Sequence, residues 1–397
     1  MWARAALLVG FALGLFCAPA AVGAQHVSVG YNSPASLRGL DVLTRIDSLH
    51  VAEVSTSDVA RIRLRPGIRW VRTTVSRQHL GETLVAAPRG ITAIEWEFGA
   101  TRSNLVPESI ARAATGITIA VVDTGADLAA PTLAAKALIT HNAVTGGSAI
   151  SDATGHGTFV ASIAAGSVTG GFALNGFGGD ARLMIVQANR SKNTFDDVDE
   201  AAGIVWAVDN GAKIVNLSIG GADTSQVERD AIDYAISHGV LLVAAAGNSG
   251  QSGNVPSYPA ALLGTHGLAV GASTTAGKRA GFSTVSQYIS LAAPGVRVLG
   301  ATTGVASTST YPRVKLAGQP GLYAFGSGTS YSAPQVSGAA ALVWAANPSL
   351  TADGVVQILE QTATGAGTWN SAIGYGVLDA ASAVARALGV PPPAPGK

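Results

Sequence analysis

The chain has 397 residues, 48% of them hydrophobic and 12% charged, with 49 glycines and a formal net charge of +1. This is enough for one large, well-cored domain and a smaller one. The balanced charge leaves no electrostatic footprint for nucleic acid or an anionic membrane, and no zinc-type Cys/His spacing or phosphate-loop signature is present.

Residues 1–24 read as a secretory signal peptide. Arg4 precedes an uncharged run that ends in Pro19 and the small residues Val22-Gly23-Ala24. Gly10, Gly14 and Pro19 interrupt that run and disfavour an uncleaved anchor. Cys17 is the single cysteine and leaves with the signal, so the exported chain is expected to lack disulfides.

Residues 25–90 are richer in Arg and Val and read as a small α+β unit. Strands are predicted at 27–31, 51–54, 60–64 and 68–75, with a short helix inside 36–49. Residues 90–109 read as a link in which Trp96 and Phe98 are expected to pack on the next domain.

From residue 116 strands alternate with helices. Strands are predicted at 117–122, 183–186, 214–217, 240–245 and 268–270, and helices at 158–165, 196–210, 226–237, 330–346 and 351–362. Near-continuous apolar strands in that order predict a doubly wound, mostly parallel α/β sheet with helices on both faces, over residues 91–389. Ligands of such sheets sit at the carboxyl ends of the strands. The tail, 390–397, is Pro-rich and expected to be disordered.

Four polar residues stand at predicted element ends. Asp123 follows a buried strand in Val122-Asp123-Thr124-Gly125, which by itself also fits a strand-end turn with an Asp cap. Asp-Thr-Gly also marks aspartic proteases, but their mechanism needs a second such carboxylate, and the chain has no second Asp-Thr-Gly. His156, in Gly155-His156-Gly157-Thr158, lies at the mouth of a helix between glycines that leave its ring exposed, and it is the one histidine of seven so placed. Asn248, in Gly247-Asn248-Ser249-Gly250, follows another apolar strand; it suits either an ordinary turn or an oxyanion donor. Ser330 stands where a Gly/Ser turn enters an Ala-rich helix with Pro334 in its first turn. Alone it reads as a helix cap, and with the other three it reads as a nucleophile whose N–H faces a developing oxyanion. The order Asp, His, Ser is one of the known triad orders.

With these motifs, the chain resembles the subtilisin-like serine proteases (subtilases, peptidase family S8). The blocks that carry the likeness are Val121-Val122-Asp123-Thr124-Gly125, Gly155-His156-Gly157-Thr158-Phe159-Val160-Ala161, Ala245-Ala246-Gly247-Asn248 and Gly328-Thr329-Ser330-Tyr331-Ser332-Ala333-Pro334. The resemblance implies Ser330 as nucleophile, His156 as general base and Asp123 as its orienting carboxylate, with Asn248 in the oxyanion hole. It further implies that Ser218, Ile219 and Gly220 pair with the substrate backbone. Ala245, Ala246, Gly247 and Ser257 then line a small, uncharged pocket for the residue before the scissile bond, which suggests an apolar or broad preference.

The implied partners are peptide or protein substrates and the chain's own N-terminal unit, which stands where the family keeps a self-cleaved propeptide. No nucleic acid and no stable membrane partner is expected. No cofactor is required. Thr132 stands where many members place a calcium-binding Asp, so that site is expected to be missing, and structural calcium elsewhere stays open. Phe159, Ser162, Tyr331 and Gln335 depart from the usual residues, and the segment 303–323 is longer than usual before the nucleophile. A catalytically silent peptide-binding member, its crevice blocked by that segment or by a retained N-terminal unit, is the alternative. A dinucleotide-binding protein is disfavoured because no strand leads into Gly-x-Gly-x-x-Gly.

Overall fold

The computed structural model describes residues 23–80, 95–136, 138–167, 176–192, 194–306, 311–316 and 321–394. The signal-like residues 1–22 lie outside the described part.

The N-terminal unit is a four-stranded antiparallel sheet of β1 (Gln25–Tyr31), β2 (Asp41–Ile46), β3 (Val51–Thr56) and β4 (Ile68–Thr73), in the order β2-β3-β1-β4. Val27, Val29 and Tyr31 alternate with polar neighbours along β1 and close over Leu37, Val54, Ile62 and Val71. Two expectations fail here. The predicted strand 60–64 is the helix Val59–Arg63, because Asp58 caps it by accepting from the Arg61 N–H at 2.9 Å and only Ile62 of the stretch is buried. The predicted helix within 36–49 is instead β2 between two short 3-10 turns, Pro34–Leu37 and Asp47–Leu49. Cross-strand pairing of β2 with β3 overrides the weak local helical pattern.

After β5 (Ser76–His79) comes the large unit, with β6 (Thr118–Asp123), β7 (Leu138–Asn142), β8 (Arg182–Gln187), β9 (Thr194–Asp196), β10 (Ile214–Leu217), β11 (Ile219–Gly220), β12 (Leu241–Ala245), β13 (Gly267–Ser273) and β14 (Leu291–Pro294). Seven of these strands form one sheet, β14-β13-β12-β10-β6-β8-β7, and all its described pairings are parallel, as the sequence predicts.

Strand residues alternate between two cores. Ile119, Val121, Leu183, Ile185 and Val243 face the helices His156–Ala165 and Thr329–Ala346. Ala120, Val122, Met184, Val186 and Leu242 face Asp197–Asp209 and Gln226–Ser237. Each large aliphatic side chain so buried contributes about 1.5–3 kcal/mol. Thr329–Ala346 is buried along nearly its whole length, and its small residues permit close approach: a Cβ at Gly338 would lie 2.6 Å from Phe177. The last strands, β15 (Val298–Ala301), β16 (Arg313–Val314) and β17 (Tyr323–Gly326), make a small antiparallel sheet beside that helix.

Phe98 stacks on Phe177 at 4.2 Å, so the link packs as expected. At the C-terminus, Arg102 donates to the Pro393 and Ala394 carbonyls, so that part of the tail is held against the domain rather than free.

The N-terminal sheet docks on the helices Asp197–Asp209 and Gln226–Ser237. Ile46 and Val51 join their core, and Thr44 Oγ1 donates to Asp199 Oδ1 at 3.0 Å. Arg190 binds Glu53 of the small unit together with Asp196 and Asp199 of the large one. One guanidinium thus serves three carboxylates. Burial pushes the Glu53 carboxyl up to about 7; Arg190 opposes this, while Asp199 and Asp196 add to it. A carboxyl with a raised pKa in the docked state binds extra protons there, so docking weakens as pH rises from about 4.5 to about 7. In the full chain carrying Ser330→Ala, Tm should fall more steeply between pH 5 and pH 8 than in the chain that also carries Glu53→Gln. Equal slopes would remove Glu53 from this role.

Candidate active site

Adjacent strands β12, β10 and β6 deliver the site at their carboxyl ends. Asp123 ends β6, Ser218 follows β10, and Asn248 follows β12. Asp123 Oδ1 lies 2.7 Å from His156 Nδ1 and also accepts the Thr124 N–H at 2.7 Å. Both side chains are fully buried. A carboxylate at Nδ1 holds the ring with that nitrogen protonated, which makes Nε2 the nitrogen able to accept a proton.

The loop that carries His156 is tied by a residue that motif reading missed. Buried Asp152 accepts from Thr124 Oγ1 (3.0 Å), Thr154 N (3.1 Å), Thr154 Oγ1 (3.0 Å), Gly155 N (2.8 Å), Thr158 N (2.9 Å) and Thr158 Oγ1 (2.6 Å). Thr124 Oγ1 in turn accepts the Gly157 N–H at 2.9 Å. This network locks the turn at which Gly155 takes φ +87°, where a larger residue would be strained and would press on Ala306. Its only trace in the sequence is an acidic residue shortly before the His motif.

Ser330 is the second residue of Thr329–Ala346, and Gly328 occupies the cap position with no side-chain bond, so Ser330 is not the cap. Pro334 lies inside the helix, beyond the first turn expected of it. Lacking an N–H, it leaves the Ser330 carbonyl, four residues back, without its helical donor. Ser218 Oγ donates to that carbonyl at 2.9 Å instead, and Ser218 Oγ accepts from Asn216 Nδ2 at 2.9 Å. The Ser330 hydroxyl itself donates to the Ser218 carbonyl at 3.1 Å. Asn248 is oriented by Thr329, whose N–H and hydroxyl both donate to Asn248 Oδ1, at 3.0 and 2.9 Å. Because the Thr329 N–H can only donate, the amide nitrogen must point the other way, past Gly328. Tyr288, another residue the sequence did not single out, accepts the Ser257 N–H at 3.1 Å and donates to the Ala246 carbonyl at 2.9 Å, joining two walls of the expected pocket.

Phe159, Tyr331 and the long segment depart together. Tyr331 is buried against Phe159, ring centroids 4.5 Å apart, and Tyr311 of the long segment packs on Phe159 at 5.6 Å. Gly300 and Gly326 leave the space these two rings fill. The described part of segment 303–323 is therefore anchored to the domain through Tyr311, and Tyr331 forms core beside His156. Gln335 Nε2 donates to the carbonyls of Pro294 (2.6 Å) and Tyr331 (2.8 Å), which makes it a structural tie.

The His156 ring is not exposed as its flanking glycines suggest. β5 lies in the crevice, paired antiparallel with β11 on one side (His79 with Ile219, Gln78 with Gly220) and with β9 on the other (Arg77 with Phe195). The His79 ring stacks on His156 at 4.9 Å. Leu80 follows, half-buried against the main core, and a Cβ on Gly220 would meet both Leu80 Cδ2, at 3.0 Å, and Ser257 Oγ. Residues 76–80 thus run between two strand edges toward the expected pocket, with Ser218, Ile219, Gly220 and Ser257 around their last residues.

Residues 114–376 match the model of the subtilase family. An alkaline protease of Alkalihalobacillus alcalophilus is 31% identical over 346 residues, 87% of this chain and 82% of that protein. Subtilisin Savinase of Lederbergia lenta is 35% identical over 268 residues, 68% of this chain and 90% of that protein. The crystal structure of fervidolysin from Fervidobacterium pennivorans, a keratinolytic enzyme related to subtilisin, superposes with a TM-score of 0.77 at 26% identity; the match covers 94% of this chain and 62% of the fervidolysin chain. Among the described residues, no helix is long and apolar enough to cross a membrane. By its family match and its relatives, this chain belongs to the subtilases and is a subtilisin-type serine protease.

Proposed function

We propose that the chain is an exported serine endopeptidase, made as a precursor that cuts itself after Leu80. Ser330 Oγ, turned from the Ser218 carbonyl to another staggered rotamer, gives its proton to His156 Nε2 as it attacks the scissile carbonyl. Asp123 holds the ring and stabilises the imidazolium. The Ser330 N–H and Asn248 Nδ2 receive the oxyanion. His156 then returns the proton to the leaving amine, and water releases the acyl group by the same steps in reverse roles. Export rests on the signal-like residues 1–24.

The observation that carries this reading is β5, held in the crevice as an added strand and followed by Leu80 beside Gly220 and Ser257. On the position of Leu80 we infer that the chain is cut after this residue. The same arrangement also favours a silent state before maturation, because His79 covers His156 for as long as the small unit stays docked.

Expression of the full chain should yield a large fragment that begins at Gly81, identified by N-terminal sequencing and intact mass. The Ser330→Ala chain should accumulate with residues 25–80 still attached. Trimming of that variant at the same bond without added protease would refute self-processing.

A further inference from the structure

The strand in the crevice carries a fully buried arginine. Arg77, the fourth residue back from the Leu80–Gly81 bond, turns its side chain into the peptidase unit between the first turns of the helices Asp197–Asp209 and Gln226–Ser237. Its Nη2 lies 2.8 Å from Glu228 Oε1, and its Nε donates to the same oxygen at 3.0 Å. Glu200 Oε2 lies 3.5 Å from Nε. Both glutamates are fully buried, and Glu200 has no hydrogen-bond partner for either oxygen among the described residues. Glu228 is fixed from behind by the Thr224 hydroxyl at 2.7 Å. Gly221, whose Cβ would stand 3.3 Å from Arg77 Cδ, leaves room for the stem.

Without Arg77, this pocket would set two carboxylates against each other, an arrangement that favours filling by a positive group. Burial and the adjacent Glu228 push the Glu200 carboxyl well above the usual carboxylate range, against the pull of Arg77. The backbone ladder fixes the register: any peptide that pairs with β11 and β9 as β5 does places its fourth residue before the bond at this pocket. The side chain is positioned by peptidase residues, so the same constraint acts on substrates supplied from outside.

We infer that Glu200 and Glu228 form a specificity subsite that selects arginine four residues before the scissile bond. The subsite rests on the proposed cleavage chemistry and adds a demand that the small, uncharged pocket around Ser257 does not make. A planar guanidinium can meet both carboxylates at once, whereas lysine offers a single point charge.

The test uses protein matured from the full chain and four coumarin-amide peptides, X-Gln-His-Leu with X as arginine, lysine, citrulline or alanine. Arginine should exceed alanine and citrulline by about 100-fold or more in kcat/KM, as expected for losing one partner of a buried charge pair, with lysine between. The Glu200→Gln/Glu228→Gln protein should bring the arginine-to-alanine ratio close to one. Similar rates for all four peptides with the unsubstituted protein would overturn the subsite and leave the protease reading intact. No cleavage of any peptide, with no fluorophosphonate label on Ser330, would overturn the protease reading and the subsite with it.

Discussion

In the His156→Ala chain the Leu80–Gly81 bond should survive. Under the proposed self-processing, scission of the full chain is a single turnover in which chemistry alone sets the rate, so loss of the proposed base appears undiluted by product release. The expected fall is about 10⁶-fold, a scale taken from subtilisin, a member of the same family. The geometry explains the size of the effect. His156 Nδ1 is committed to Asp123 at 2.7 Å, and the ring is enclosed by β5, so no solvent base can replace it. A time course of the fragment that begins at Gly81 reads the rate. Scission within tenfold of the unsubstituted chain would show that another group takes the proton.

Asn248→Leu should slow the same scission by about 10²–10³-fold, the loss expected for one oxyanion donor and also known from subtilisin. Leucine keeps the volume and removes the donor. The side effect is contained, because the Thr329 hydroxyl also accepts the Gly247 N–H at 3.2 Å and so keeps one tie to this loop. With peptide substrates the variant should lose kcat while KM stays within a few-fold, since the amide acts on charge that forms only in the transition state. A rise in KM with unchanged kcat would place Asn248 in substrate binding instead.

Much of the site is legible in the chain because each group sits in a short motif at an element end. Asp123 closes a buried six-residue strand, and His156 and Ser330 each stand in the first turn of a helix that leaves a glycine turn. The parallel sheet is legible for the same reason: its strands are buried on both faces and read as unbroken apolar runs. What stayed hidden depends on contacts distant in sequence. Asp152 matters through six hydrogen bonds that exist only once the turn is folded. Arg77 meets Glu228 across 151 residues, and nothing in the local pattern of either marks a pocket. The burial of His156 was invisible for the same reason, since the ring that covers it belongs to the small unit. The stretch at 60–64 failed differently: alternating Arg and apolar residues fit a strand, and the Asp58 cap decided for a helix.

The proposed mechanism makes Ser330 a nucleophile activated by His156 in the matured protein. A fluorophosphonate probe reacts with such a serine, and peptide mass mapping locates the adduct. One adduct on Ser330 is expected in protein that begins at Gly81, and none in the His156→Ala chain. Matured protein that takes no label on Ser330, or an adduct that persists in full without His156, would contradict it.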